Sequence, residues 1–216
     1  MTRLLVGVDF DNTLVCYDAL LHREATARGL IPIAVPADKR RIRDQIRRRP
    51  HGEADLQRLQ ALIYGEKIQD APAAPGVPEF FSGCRQDGIA VAIVSHKTAE
   101  LHAPALAWLE RHGAFESSGW GVSRASIYFE STRVEKLTRI RQIGCTHFVD
   151  DLEETFAEPA FPPGVRKILY APHGLASTAA DATLETWPRI AVWINADVRA
   201  SGQPGRHTRA LGRCAA

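Results

Sequence analysis

Two aspartates, Asp9 and Asp11, end the apolar run "LLVGV" (residues 4–8) and lead straight into Asn12 and Thr13. Two unaccompanied acids serve as a turn or cap about as often as they do chemistry, so the case rests on what else the chain offers. Ser95 closes the apolar segment "IAVAIVS" (89–95), and Lys136 lies in the helix start "STRVEKL" (131–137). Asp150 and Asp151 end "THFVD" and continue as "FVDDLEE", with Glu154 one turn further on. Several carboxylates, one hydroxyl and one ammonium form a recognisable chemical set. Clustered carboxylates repel and call for a hard divalent cation with oxygen ligands, most often magnesium. A lysine, a serine and nearby backbone amides suit phosphate oxygens. The expected partner is a small phosphorylated metabolite.

These residues converge only if the fold brings strand ends together. The β-rich runs are "RLLVGVDF" (3–10), "IAVAIVS" (89–95), "SIYF" (126–129), "THFVD" (146–150), "RKILYA" (166–171) and "IAVWIN" (190–195). Helical patterns lie between several of them. "DALLHREATARG" (18–29) opens on Asp18 as a cap candidate and stops at Gly29. "KTAELHAPALAWLERHG" (97–113) ends at Gly113, and "STRVEKLTRIRQIG" (131–144) opens with a Thr132–Glu135 capping box. Strands apolar on both faces, alternating with helices, predict an α/β fold with a Rossmann-like parallel sheet flanked by helices. A parallel sheet with right-handed crossovers sends every strand's C-terminal end to one edge, where ligands bind.

About eighty residues separate the first two strands, far more than a crossover needs. The expected organisation is a core of residues 1–16 and 75–198, a small helical cap over 17–74, and a flexible tail at 199–216. In the cap, Leu56, Leu59, Leu62 and Ile63 fall at helical spacing, and the segment closes on the Pro-rich "APAAPGVPEF". The seven basic residues of "KRRIRDQIRRR" (39–49) read as a solvated helix face, with guidance of an anionic substrate as the lesser reading.

In this order the residues resemble the motifs of the haloacid dehalogenase (HAD) superfamily. "DFDNT" is similar to its first motif, DxDxT, and "AIVSHKT" to its second; Lys136 matches the third and "FVDDLEE" the acidic fourth. The likeness covers roughly residues 1–16 and 75–170, with the insertion where that family carries a cap. It implies a HAD-like core and a magnesium-dependent phosphomonoester phosphatase. Asp9 would be the nucleophile that forms an aspartyl-phosphate, and Asp11 the acid and base. Asp9, Asp11 through its backbone carbonyl, and Asp151 would hold Mg2+. Ser95 and Lys136 would clamp the phosphoryl group. Glu154, an outer or alternative metal ligand, stands four residues after Asp150 and three after Asp151, so Asp150 stays a metal candidate beside Asp151, which register favours. The resemblance favours phosphate chemistry over dehalogenation, because a halide needs no proton and the superfamily's dehalogenases lack an acid at the position of Asp11. Thr13 and His96 are candidate substrate contacts; His96 and Lys97 fit solvent-facing or capping roles equally well.

One alternative within the same chemistry stays open. A phosphotransferase or phosphomutase would use the same groups with another acceptor. A non-catalytic phospho-acceptor module of the receiver type needs its lysine near the end and an acid on a middle strand, whereas Lys136 precedes the second acidic cluster. No GxxxxGK[ST] loop is present. A net charge of +2 implies no polyanionic partner, and no aromatic platform accompanies the basic run, so nucleic acid is not expected. The four scattered cysteines read as free thiols. No apolar run nears the roughly 20 residues of a membrane span, and no signal peptide precedes the first strand, which together predict a cytoplasmic protein without a membrane partner. Oligomeric state is not legible.

Overall fold

The computed structural model describes residues 4–200. Its centre is a six-stranded, all-parallel sheet: β1 (Leu5–Val8), β2 (Ala90–His96), β3 (Ile127–Glu130), β4 (His147–Asp150), β5 (Arg166–Tyr170) and β6 (Ala182–Leu184). The strand order is β3-β2-β1-β4-β5-β6. Chain progression runs one way from β1 to β2 and β3 and the other way from β4 outward. The crevice between the C-terminal ends of β1 and β4 is therefore the topological switch point, where α/β sheets bind ligands.

Period-two burial explains the central strands. Val6, Val8, Ile93, Val149, Ile168 and Tyr170 belong to one core, and Ala92, Val94, Phe148 and Leu169 to the other. Both faces are covered, as a parallel sheet requires. Gly7 is the exception in a bulky run, and its cause is local. A Cβ there would lie 2.5 Å from Phe148 Cδ2 and 2.8 Å from Cys145 Sγ.

Three helices lie between β1 and the next core helix: α1 (Asp18–Ala27), α2 (Lys39–Arg47) and α3 (Gly52–Tyr64), followed by a 3-10 turn at Ile68–Asp70. Ile42, Ile46, Leu56, Leu59 and Ile63 are buried and continue the core that covers one sheet face. The remaining helices are α4 (Val77–Gln86), α5 (His102–Arg111), α6 (Arg133–Gln142), α7 (Glu153–Ala157) and α8 (Trp187–Ala200). Thr132 caps α6: its Oγ1 accepts from the Glu135 N–H at 3.1 Å and donates to Glu135 Oε2 at 3.0 Å, a side-chain variant of the expected capping box.

Four readings of the sequence are corrected. "IAVWIN" (190–195) is not a strand but the middle of α8. Its buried residues Trp187, Ile190 and Ile194 recur at helical spacing, and Pro188 in the first turn suits a helix start. The sixth strand is instead the three-residue β6, too short to show periodicity. Asp18 is the first residue of α1, with Tyr17 as its N-cap. The Asp18 carboxylate accepts from the backbone N–H of Lys39 at 2.9 Å, so it serves the start of α2. The basic run is not wholly solvated, since Lys39 and Arg40 reach the sheet edge. The expected tail loses Arg199 and Ala200 to α8, and its remainder lies outside the described residues. Among the described residues no helix is long and apolar enough to cross a membrane, and Cys16, Cys84 and Cys145 are free thiols.

Candidate active site

Asp9 follows β1 directly, and its backbone N–H donates to the Val149 carbonyl of β4 at 2.9 Å, so the switch point fixes its main chain. Ser95 Oγ donates to Asp9 Oδ1 at 2.9 Å, and Lys136 Nζ donates to the same oxygen at 2.6 Å. Among the described residues both side-chain bonds to Asp9 land on Oδ1, which leaves Oδ2 available. Lys136 also reaches Asp150 Oδ2 at 2.7 Å. Its N-cap Thr132 sets the start of α6, and one turn later the lysine points into the acid cluster. Asp9, Ser95, Lys136 and Asp150 are all buried.

Asp9, Asp150 and Asp151 each place a carboxylate oxygen within 4.8 Å of the others. Asp150 is engaged by protein on both oxygens: Oδ2 by Lys136, and Oδ1 by the Leu152 N–H at 2.9 Å. Asp151 differs. Lys39 Nζ donates to its Oδ2 at 3.0 Å, while its buried Oδ1 has no hydrogen-bond partner. An orphaned buried acceptor beside two more carboxylates is a place a cation would fill, and three hard oxygen donors suit a divalent ion of the magnesium type. The donor set fits the expected metal, with Asp151 as the ligand that has an oxygen to give.

Burial pushes the Asp150 carboxyl up. The Lys136 charge pulls against this, while Asp9 and Asp151 add to the rise. Burial also raises Asp151, opposed by Lys39. For Lys136 burial acts to lower the pKa, but Asp150 and Asp9 outweigh it and hold the ammonium above the ordinary lysine range. Lys39 is held up in the same way by Asp151. Both cations stay charged among carboxylates that repel one another.

Asp11 lies apart from the three-carboxylate set. Lys97 Nζ donates to its Oδ1 at 3.1 Å and its Oδ2 at 2.8 Å, and Tyr17 OH donates to Oδ1 at 2.9 Å. The other sequence candidates scatter. Glu154 is exposed and lines a cleft with Lys39, Arg40 and Asp151 rather than joining the acids. His96 is exposed, with Nε2 3.0 Å from the Ser131 carbonyl oxygen. Thr13 is fully buried, its Oγ1 lacks a hydrogen-bond partner, and its carbonyl accepts from Trp187 Nε1 at 3.3 Å.

Sequence reasoning missed Lys39 and Tyr17, and left Lys97 undecided. Lys97 carried a usable signal: two residues past Ser95, strand alternation puts it on the same side. Lys39 carried none, since nothing separates the first cation of a basic helix from the six that follow.

No protein-family model matches the chain. No curated protein matches it either. Solved structures do. A dehalogenase shares 13% identity with a TM-score of 0.55, over 88% of this chain and 96% of that one. The fold is that of haloacid dehalogenase-like proteins. A predicted phosphoglycolate phosphatase from Haemophilus somnus shares the HAD-like fold at 15% identity and a TM-score of 0.58, over 90% and 99% of the two chains. A HAD family hydrolase from Deinococcus radiodurans, solved with bound phosphate and sodium, is 17% identical with a TM-score of 0.57, over 93% and 97%. The match spans nearly the whole of each of these three chains.

Proposed function

We propose that this chain is a phosphoric monoester hydrolase of the HAD type that works through an aspartyl-phosphate on Asp9. One observation carries the reading. A buried carboxylate at the switch point is gripped on a single oxygen by a hydroxyl and an ammonium, and a second carboxylate, Asp11, stands two residues on. A neighbour of the same fold was solved with bound phosphate, which supports phosphate as a ligand.

In the first step Asp9 Oδ2 attacks phosphorus, the ester P–O bond breaks, and protonated Asp11 gives its proton to the leaving oxygen. In the second, Asp11 takes a proton from water, the water oxygen attacks phosphorus, and the Asp9–phosphorus bond breaks to free phosphate and the Asp9 carboxylate. Splitting one hard displacement into two is the advantage of a covalent nucleophile. Ser95 and Lys136 orient the phosphoryl oxygens and offset their charge. Asp9 and Asp151 would hold Mg2+ beside the Lys136-bound Asp150, and the ion would supply further neutralisation of phosphoryl charge. The helices of residues 17–74 act as a cap, with Lys39 on the Asp151 carboxylate and Arg40 on the Asp151 carbonyl. Dehalogenation is disfavoured because a halide leaves without a proton, and Asp11 would then have no task.

The test is a panel of phosphate esters and small phosphorylated metabolites assayed with and without Mg2+. Phosphate release over many turnovers that stops on chelation is expected. No release from any ester would overturn the reading, and transfer to an added alcohol instead of water would make the protein a phosphotransferase.

A further inference from the structure

Lys97 is set in a way that the phosphatase reading does not account for. Its side chain is 0% exposed, which for a lysine calls for a compensating partner. Its ammonium is shared between both oxygens of Asp11, at 3.1 and 2.8 Å. The stem and charge are walled by aromatic rings, with Nζ 5.0 Å from the centroid of Phe10 and 5.8 Å from that of Tyr64. The backbone is held as firmly. The Lys97 N–H donates to the Glu130 carbonyl at 2.7 Å, and its own carbonyl lies 3.0 Å from His102 Nε2. Asp11 receives one more donor, Tyr17 OH on Oδ1 at 2.9 Å, and the Tyr17 ring packs on Tyr64 with centroids 4.9 Å apart.

Three hydrogen bonds from two fixed donors settle the rotation of the Asp11 carboxylate. Oδ1 takes two donors and Oδ2 one, so Oδ2 is the oxygen with capacity left for a proton exchanged with substrate or water. A group that must meet first a leaving oxygen and then a water gains most from such fixed aim, because a displacement of about 1 Å costs on the order of 100-fold in rate.

We propose that Lys97, assisted by Tyr17, is the positioning residue of Asp11. The proposal rests on the phosphatase reading. Lys97 acts through Asp11 and does not touch the phosphoryl group, a task that belongs to Lys136 on the other carboxylate. Tyr17 and Tyr64 belong to the helical insertion, so the segment that brings Lys39 to Asp151 also houses the proton-transfer group.

The experiment is a double-mutant cycle on the single-turnover rate of Asp9 phosphorylation, the step that sees the leaving group, run with an alkyl phosphate and with nitrophenyl phosphate. Lys97→Met should lower that rate on the alkyl ester roughly 10- to 100-fold, with much less loss on the nitrophenyl ester and the half-saturating ester concentration little changed. In an Asp11→Asn background, Lys97→Met should cost almost nothing more. Tyr17→Phe, which keeps the ring and removes one hydrogen bond, should show the same pattern at a few-fold and covers the case where Lys97→Met does not fold. Losses that multiply across the cycle, or that are equal on both esters, would overturn the positioning role while wild-type turnover left the phosphatase reading intact. A wild-type protein without turnover on any phosphate ester would overturn both.

Discussion

Lys136 and Lys97 are both buried lysines, one on Asp9 and the other on Asp11, yet they predict different phenotypes. Lys136 bridges Asp9 and Asp150, so Lys136→Met leaves two buried carboxylates without their shared cation. Breaking a buried ion pair from one side typically costs about 3–5 kcal/mol. With chelator present, Lys136→Met should lose stability of that order in denaturant unfolding and lose activity on every ester class. Lys97→Met should discriminate between esters by leaving group, as argued above. A stability loss from Lys136→Met under about 1 kcal/mol would mean that the bridge does not hold the acids together. Asp9, Ser95, Lys136, Asp150 and Asp151 were legible because each sits at the end of a readable strand or at a capped helix start. Tyr17 was not, since a tyrosine just before an amphipathic helix reads as core, and its hydroxyl's partner is set by the turn at residues 9–17.

Among the elements, α2 keeps its expected helix but not its expected solvated face. Its N-cap Asp38, which accepts from the N–H groups of Arg40 and Arg41, and the Asp18 carboxylate on the Lys39 N–H turn the first residue of the helix toward Asp151. The far end behaves as a solvated basic helix does: Arg47 pairs with Glu53 at 2.8 Å, and Arg49 reaches the Gly29 carbonyl at 2.9 Å. Replacing Arg47, Arg48 and Arg49 with Ser should therefore spare kcat on a minimal phosphate ester, whereas Lys39→Met should change the metal requirement. With one cation fewer on Asp151, half-maximal activity should come at a several-fold lower Mg2+ concentration; an unchanged requirement would show that Lys39 does not compete there. Strand β1 carries a structural prediction of its own. Gly7→Val has to displace Phe148 and Cys145 and should cost about 1–3 kcal/mol, as overpacking does, read as a lowered denaturant midpoint; an unchanged midpoint would show that the contact relaxes freely. The α8 segment shows why its expectation failed. "IAVWIN" alone is a short β-branched run, and only the wider stripe of Trp187, Ile190 and Ile194 reveals the helical period.

For the whole molecule, the parallel sheet and the large insertion after its first strand were readable from apolar runs and their spacing, and so was the edge where the acids meet. The strand order was not, because periodicity says which residues are buried and not which strands are neighbours. The switch point between β1 and β4 supplies what the sequence lacked: it puts Asp9 beside Asp150 and Asp151 across about 140 residues of chain. If that cluster holds a divalent ion, Mg2+ should raise the unfolding temperature by mass action, and Asp151→Asn should abolish most of the rise; an equal rise in the variant would place the ion elsewhere. The central claim is that Asp9 takes the phosphoryl group and Asp11 moves the proton. It is tested most directly by incubating Asp11→Asn with nitrophenyl phosphate and Mg2+, quenching in acid, and weighing the peptides. Proton transfer of this kind contributes roughly 100- to 10,000-fold, so the second step should stall and the peptide containing Asp9 should carry the mass of one phosphoryl group, absent when Asp9→Asn is added. Full turnover by Asp11→Asn, or a phosphoryl group that persists without Asp9, would contradict the account.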